Sequence, residues 1–185
     1  SKSLQDALLE CFQAIVLLVQ PEIRHQIILY TEDVDIVAPP DVLICVWNGV
    51  RAAANGLSLE PDGRIAYDAS QGFRVRVDLI EMGGGYIDHI HHVEPFLGAS
   101  LASKADLLRL RAATAADRGD DGDMEDFRWL VEALARKGEM LPQLNQKEAD
   151  DIINTGKCMD PLDQLVLVAV MGINNQKAAL MLLGI

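Results

Sequence analysis

Between Phe73 and Ile80 the side chains alternate strictly: Phe73, Val75, Val77 and Leu79 fall on one side, and Arg74, Arg76, Asp78 and Ile80 on the other. A period of two is the pattern of a β-strand that buries one face. Such a strand cannot stand alone, because its backbone needs partner strands and its apolar face needs a second layer. The preceding sequence supplies both. Residues 57–59 and 64–67 flank Pro61-Asp62-Gly63, turn chemistry that predicts a hairpin. Thr31 to Ala38 alternate acidic and apolar residues up to the stop at Pro39-Pro40, and 26–29 is a short apolar run. Helical spacing of Leu4, Leu8, Phe12, Ile15 and Val19 predicts a helix over 4–19 ending at Pro21, and a second is predicted over 41–54, ending at Asn55-Gly56. The glycines Gly83-Gly84-Gly85 end the strand.

From Ser103 the pattern turns helical. Ser103 is placed to cap a helix reaching about residue 117. An acidic loop over 118–122 follows, then a helix over 123–137 with Gly138 as its stop. Three short helices are predicted over 146–154, 161–171 and 174–183. The fold class is therefore α/β (α+β): a mixed sheet with flanking helices over 1–98, followed by a C-terminal helical region over 99–185. The apolar stretch from Leu162 to Leu183 follows one helix face after another and reads as the core of that helical half.

The chain has 185 residues, half of them hydrophobic but only 5% aromatic, so its core is built from aliphatic side chains. With 28 acidic against 16 basic residues the formal net charge is −12. That balance disfavours a broad phosphate-tracking surface, which needs clustered Lys and Arg. Cys11, Cys45 and Cys158 are scattered and have no CxxC partner, which argues against a disulfide framework and for a reducing compartment. No apolar run reaches the ~18 residues of a membrane span, and the N-terminus lacks a signal-peptide pattern. The expectation is a soluble cytoplasmic protein.

Asp33 and Asp35 stand two apart in what reads as a strand, so both carboxylates share one face while Val34 and Ile36 point to the core. Side by side they repel unless solvent or a cation offsets the charge. Mg2+, or Mn2+, prefers oxygen ligands and commonly takes one or two carboxylates plus substrate phosphates. Asp78, from a separate strand, offers a third carboxylate. Three such groups could hold two metal ions for in-line nucleotidyl transfer, the third carboxylate accepting the hydroxyl proton. A solvated strand face produces the same Asp-x-Asp pattern.

Further along, Leu107-Leu108-Arg109-Leu110-Arg111-Ala112 runs through Asp117-Arg118-Gly119 to Asp123-Met124-Glu125-Asp126-Phe127. This stretch resembles the abortive-infection-type, toxin-like branch of the nucleotidyltransferase superfamily, which has a helix with a basic residue, an Arg-Gly turn, and a helix opening with two aspartates three apart. Arg111 takes the position usually held by lysine, Arg118-Gly119 matches the turn, and Asp123 and Asp126 match the pair. Thr31-Glu32-Asp33-Val34-Asp35 is similar to the branch's Asp-x-Asp strand, and Val75 to Ile80 to its third-carboxylate strand. The resemblance spans residues 31 to 130. It implies a Mg2+-dependent, ATP- or other nucleoside-triphosphate-binding transferase with Asp33, Asp35 and Asp78 as catalytic metal ligands. Arg111 then holds phosphate, assisted by Lys104, Arg118, Asp123 and Asp126. The acceptor is open between a tRNA end, a protein side chain and a small molecule.

One departure bears on catalysis. The superfamily sets a Gly-Gly or Gly-Ser turn and a short helix ten or more residues before the Asp-x-Asp pair, to cradle the triphosphate. Nothing of the kind stands between Val19 and Thr31. Either the fold persists as a catalytically inactive interaction protein, or a cradle segment belongs between Leu29 and Tyr30, where a direct join looks hard to fold.

Several residues have simpler roles available. Lys104, Arg109, Arg111 and Arg118 are the nearby cations; Lys104, Arg111 and Arg118 are seven apart in turn and share a helix face, as an ordinary solvated stripe would. Asp123 suits a helix N-terminus on dipole grounds alone. Asp88-His89-Ile90-His91-His92 invites a zinc site, and with it a metal hydrolase, but no Cys or further His motif supports convergent ligands. An exposed strand-to-loop segment is the expectation there.

Overall fold

The computed structural model describes residues 2–30, 34–85 and 87–185. Contacts divide the chain into two compact units, Ser1–Ala102 and Ser103–Ile185. The division falls four residues after the expected boundary at 98, because Ala99–Ala102 form a strand of the sheet.

In the first unit the described strands are β1 (Ile28–Leu29), β2 (Asp35–Ala38), β3 (Leu57–Leu59), β4 (Ile65–Asp68), β5 (Arg74–Glu81), β6 (Val93–Phe96) and β7 (Ala99–Ala102). They form one mixed sheet in the order β3-β4-β5-β2-β1-β7-β6. β2 runs parallel to β5 and β1 parallel to β7, while the other pairs are antiparallel. The helices are α1 (Lys2–Val16) and α2 (Pro40–Arg51), and Pro21–Gln26 make a 3-10 turn.

The alternation that predicts β5 decides what each face does. Ile36 lies opposite Leu79 in the β2–β5 ladder, and both join Val75, Val77, Ile65, Tyr67 and Leu57 in a core with Phe12 and Ile15 of α1 and Val42 and Val46 of α2. The intervening residues Arg74, Arg76, Asp78 and Asp35 necessarily face away from that core. Burying a Leu, Ile or Val side chain contributes roughly 1.5–3 kcal/mol, so a one-residue slip that inverted the faces is strongly disfavoured.

Three expectations need correction. Of the strand expected over 31–38, residues 31–33 lie outside the described residues; Val34 is in the left-handed region at φ 61°, and the strand begins at Asp35. The direct join at Leu29–Tyr30 folds without difficulty: β1 and β2 pair as a hairpin, closed by Tyr30 N–H donating to the Asp35 carbonyl at 2.9 Å. The helix expected to reach 54 ends at Arg51, ahead of left-handed Ala53 and Asn55. The β6–β7 hairpin, unanticipated from sequence, turns through Leu97-Gly98 with φ 47° and 82°, the positive pair that a two-residue hairpin turn requires.

The second unit contains α3 (Lys104–Arg118), α4 (Asp121–Lys137), α5 (Gln146–Gly156), α6 (Pro161–Met171) and α7 (Gln176–Leu183). Its starts follow sequence chemistry. Ser103 caps α3 through the Asp106 N–H, Asn145 and Glu148 form a reciprocal capping box on α5, and Asp160 caps α6 ahead of Pro161. Leu108, Phe127, Leu134, Leu141, Ile152, Leu167 and Met171 are fully buried in its core. Among the described residues no single helix is long and apolar enough to cross a membrane.

Candidate functional site

Asp35 opens β2 and Asp78 lies within β5, and the register pairs them directly in the parallel ladder. Neighbouring strands lie ~4.8 Å apart, and paired residues point to the same side, so the two carboxylates share the face turned from the helices. Asp35 is half-buried and Asp78 exposed. Ile36 and Leu79, the next pair, are held in the core, which fixes the direction of both acids. Two negative charges this close favour a cation, a proton or a basic side chain between them. Asp33 lies outside the described residues.

The same alternation brings Arg76 onto the Asp78 face, two residues away along β5. Arg76 is largely exposed, with its Nε 3.6 Å from Glu60, while Arg74 bonds Glu60 at 3.0 Å and pairs with Asp68. Arg76 lies outside the helical half in which the phosphate-binding cations are expected. The signal for Arg76 was nonetheless present, since it shares its strand face with Asp78.

In the second unit the residues that carry the family resemblance do meet. Arg111 on α3 forks across two carboxylates of α4, Nη1 to Asp123 at 2.9 Å and Nη2 to Asp126 at 3.2 Å. The N-cap of α4 is Asp120, which accepts from Gly122 N–H, so Asp123 is not the cap but sits in the first turn. Arg118-Gly119 is a helix end: Gly119 is left-handed at φ 64° and donates to the Ala115 carbonyl. Arg118 is exposed in that last turn. Lys104 lies over the Trp129 ring, 5.3 Å from its centroid. Arg109 is not an available phosphate ligand: it is buried, 2.6 Å from Asp106 and paired with Glu148 on α5.

The mixed-sheet unit thus carries an acidic pair on adjacent strands, and the helical unit carries arginine–carboxylate pairs. Neither protein-family models, nor curated proteins, nor solved structures match the chain.

Proposed function

We propose that the sheet unit binds a divalent cation and a nucleoside triphosphate on the Asp35–Asp78 face, and that the protein is a Mg2+-dependent nucleotidyltransferase. The observation that carries this reading is the register pairing of Asp35 with Asp78. Two adjacent carboxylates suit Mg2+ or Mn2+, which take hard oxygen ligands and complete their shell with phosphate oxygens and water. The bound cation would supply charge neutralisation at the triphosphate. Asp35 orients the ion from the half-buried side; Asp78, more exposed, is placed to take the proton of an incoming hydroxyl. In the reaction the acceptor oxygen bonds to the α-phosphorus, the bond to the β-phosphate bridging oxygen breaks, and pyrophosphate leaves with that electron pair. Arg76 provides a cation for phosphate on the same strand face. Arg111 can contribute to phosphate only by releasing Asp123 or Asp126. The acceptor class, whether a tRNA end, a protein or a small molecule, is left to experiment.

A second reading has its own observation. The chain contains no glycine before Gly49, and β1 pairs with β2 as a hairpin, which favours a fold without the superfamily's glycine-rich triphosphate cradle. On this reading the same fold serves as a non-catalytic binding protein.

Calorimetric titration with each of the four nucleoside triphosphates separates the two. Saturable binding that requires Mg2+ and disappears in Asp78→Asn supports the transferase. Absence of any Mg2+-dependent nucleotide binding by the wild-type chain removes it and leaves the binding protein.

A further inference from the structure

We infer that His89 and His91 form a two-nitrogen chelate for a late divalent transition ion such as Zn2+, distinct in ligand chemistry from the acidic strand pair. The Nε2 atoms of the two rings are 2.8 Å apart. Their centroids are 4.4 Å apart with the planes at 68°, so the rings meet edge-on with their Nε2 tips converging. The two Nε2 atoms lie within hydrogen-bond distance, with the donor and acceptor roles set by the tautomers. Replacement of the donor's proton by a cation leaves two lone pairs aimed at one point. A tetrahedral zinc ion with bonds of about 2.0–2.1 Å sets its nitrogens about 3.3 Å apart, so the rings need to open by only about 0.5 Å.

The segment that carries them is fixed at both ends. On one side Ile87 is buried, forms a bridge with Met82, and accepts a hydrogen bond from Gly83 N–H at 2.8 Å. On the other side Val93 opens β6, paired with Ala102 of β7. Two residues apart between these anchors, the histidines are held together more tightly than on a free loop, which reduces the ordering cost of chelation. His89 is exposed and His91 half-buried, so an ion reaches them from solvent. Imidazole nitrogen selects Zn2+, Ni2+ or Cu2+ over Mg2+. The chemistry therefore differs from that of the Asp35–Asp78 pair, and the inference stands whether or not the transferase reading does. Asp88, His89 and His92 are exposed, as expected of that segment, and within it the Nε2 atoms of His89 and His91 approach each other.

The test is a calorimetric titration of Zn2+ into the chelator-treated full chain without an affinity tag, in the presence of excess Mg2+, with circular dichroism confirming that each variant is folded. One equivalent is expected to bind, with His89→Ala and His91→Ala each weakening it by about tenfold or more, and Asp35→Asn and Asp78→Asn leaving it unchanged. Unchanged binding in both histidine variants overturns the inference. So does binding lost only in the aspartate variants, which moves the ion to the strand pair, and so does absence of binding by the wild type.

Discussion

Asp35 and Asp78 are immediate cross-strand neighbours in a parallel ladder, on the sheet face turned away from the core with α1 and α2. Their backbones are fixed by the core pair Ile36 and Leu79 one position on, so the two acids cannot separate without unpairing β2 from β5.

A cation bound there links to stability. Ligand present at about 100 times its dissociation constant adds about 2.7 kcal/mol to a folded state that alone binds it. Thermal melts of the wild type are therefore expected to rise with added Mg2+, while those of Asp78→Asn stay flat. Without metal, Asp78→Asn should match or exceed the wild type, because it removes one of two like charges. A metal-free variant clearly less stable than the wild type would show that Asp78 has a structural partner instead.

Removal of Arg109 should be costly. Its guanidinium neutralises Asp106, which is buried, and Glu148 across on α5. Arg109→Met leaves two carboxylates without their counter-charge, and breaking a buried pair from one side costs about 3–5 kcal/mol. Urea denaturation should report that loss, and adding Asp106→Asn and Glu148→Gln should recover most of it. Failure of the triple variant to recover would mean that Arg109 acts through packing of its stem.

The distribution of what sequence could and could not reveal follows from reach. The β5 alternation and the cap at Ser103 are local chemistry, and both appear in the structure where the sequence sets them. The β6–β7 hairpin escaped because Pro95 interrupts one strand and Ala99-Ser100-Leu101-Ala102 lacks β-branched residues; β6 tolerates the proline as the edge of the sheet. Val34 at positive φ contradicts its own preference as a β-branched residue, so the shortened β2 had no local signal. The burial of Arg109 depends on Glu148, 39 residues away, and nothing in its helix announces that partner. Of the candidate site, sequence supplied the residue types; the pairing of Asp35 with Asp78 required the register.

Glu10 gives a pH-dependent signature. Ser70 holds its carboxylate through Oγ at 2.6 Å and through N–H at 3.0 Å, and Tyr67 and Gln71 add donors at 2.7 and 3.0 Å. These bonds lower its pKa from 4.5 to about 2. Because the folded value lies below the unfolded one, the stabilisation is complete above pH 4.5 and is lost as pH falls towards 2. The melting-temperature gap between wild type and Glu10→Gln should therefore narrow across that window. A gap that stays constant would mean that the carboxylate charge is not what ties α1 to the β4–β5 turn.

The three thiols should separate by reactivity. Burial, with the Glu10 charge as a lesser cause, pushes the Cys11 thiol up to about 12, while Cys45 is half-buried and Cys158 exposed. Since the thiolate is the reactive form, a thiol reagent at neutral pH should label Cys158 first and Cys11 only on unfolding. Mass mapping of the modified peptides checks the order, and early labelling of Cys11 would contradict its place in the core.

Asn175 fastens the end of the helical unit. Its Nδ2 donates to the carbonyls of Met171 at 2.8 Å and Pro142 at 3.0 Å, and its Oδ1 accepts from Leu144 N–H at 2.9 Å. One buried amide thus joins the end of α6 to the segment leading into α5. Asn175→Ala strands three backbone groups, and at the usual cost of unmet buried partners the loss is about 2–4 kcal/mol. Asn175→Asp is nearly isosteric and keeps the acceptor for Leu144, yet turns a carboxylate towards two carbonyls. It should therefore be at least as destabilising as alanine above the carboxyl pKa and should recover as the acid protonates, since the protonated oxygen can donate to one carbonyl. Chemical denaturation of both variants at neutral and acidic pH measures this; an aspartate variant as stable as the wild type at neutral pH would show that the amide donors contribute nothing.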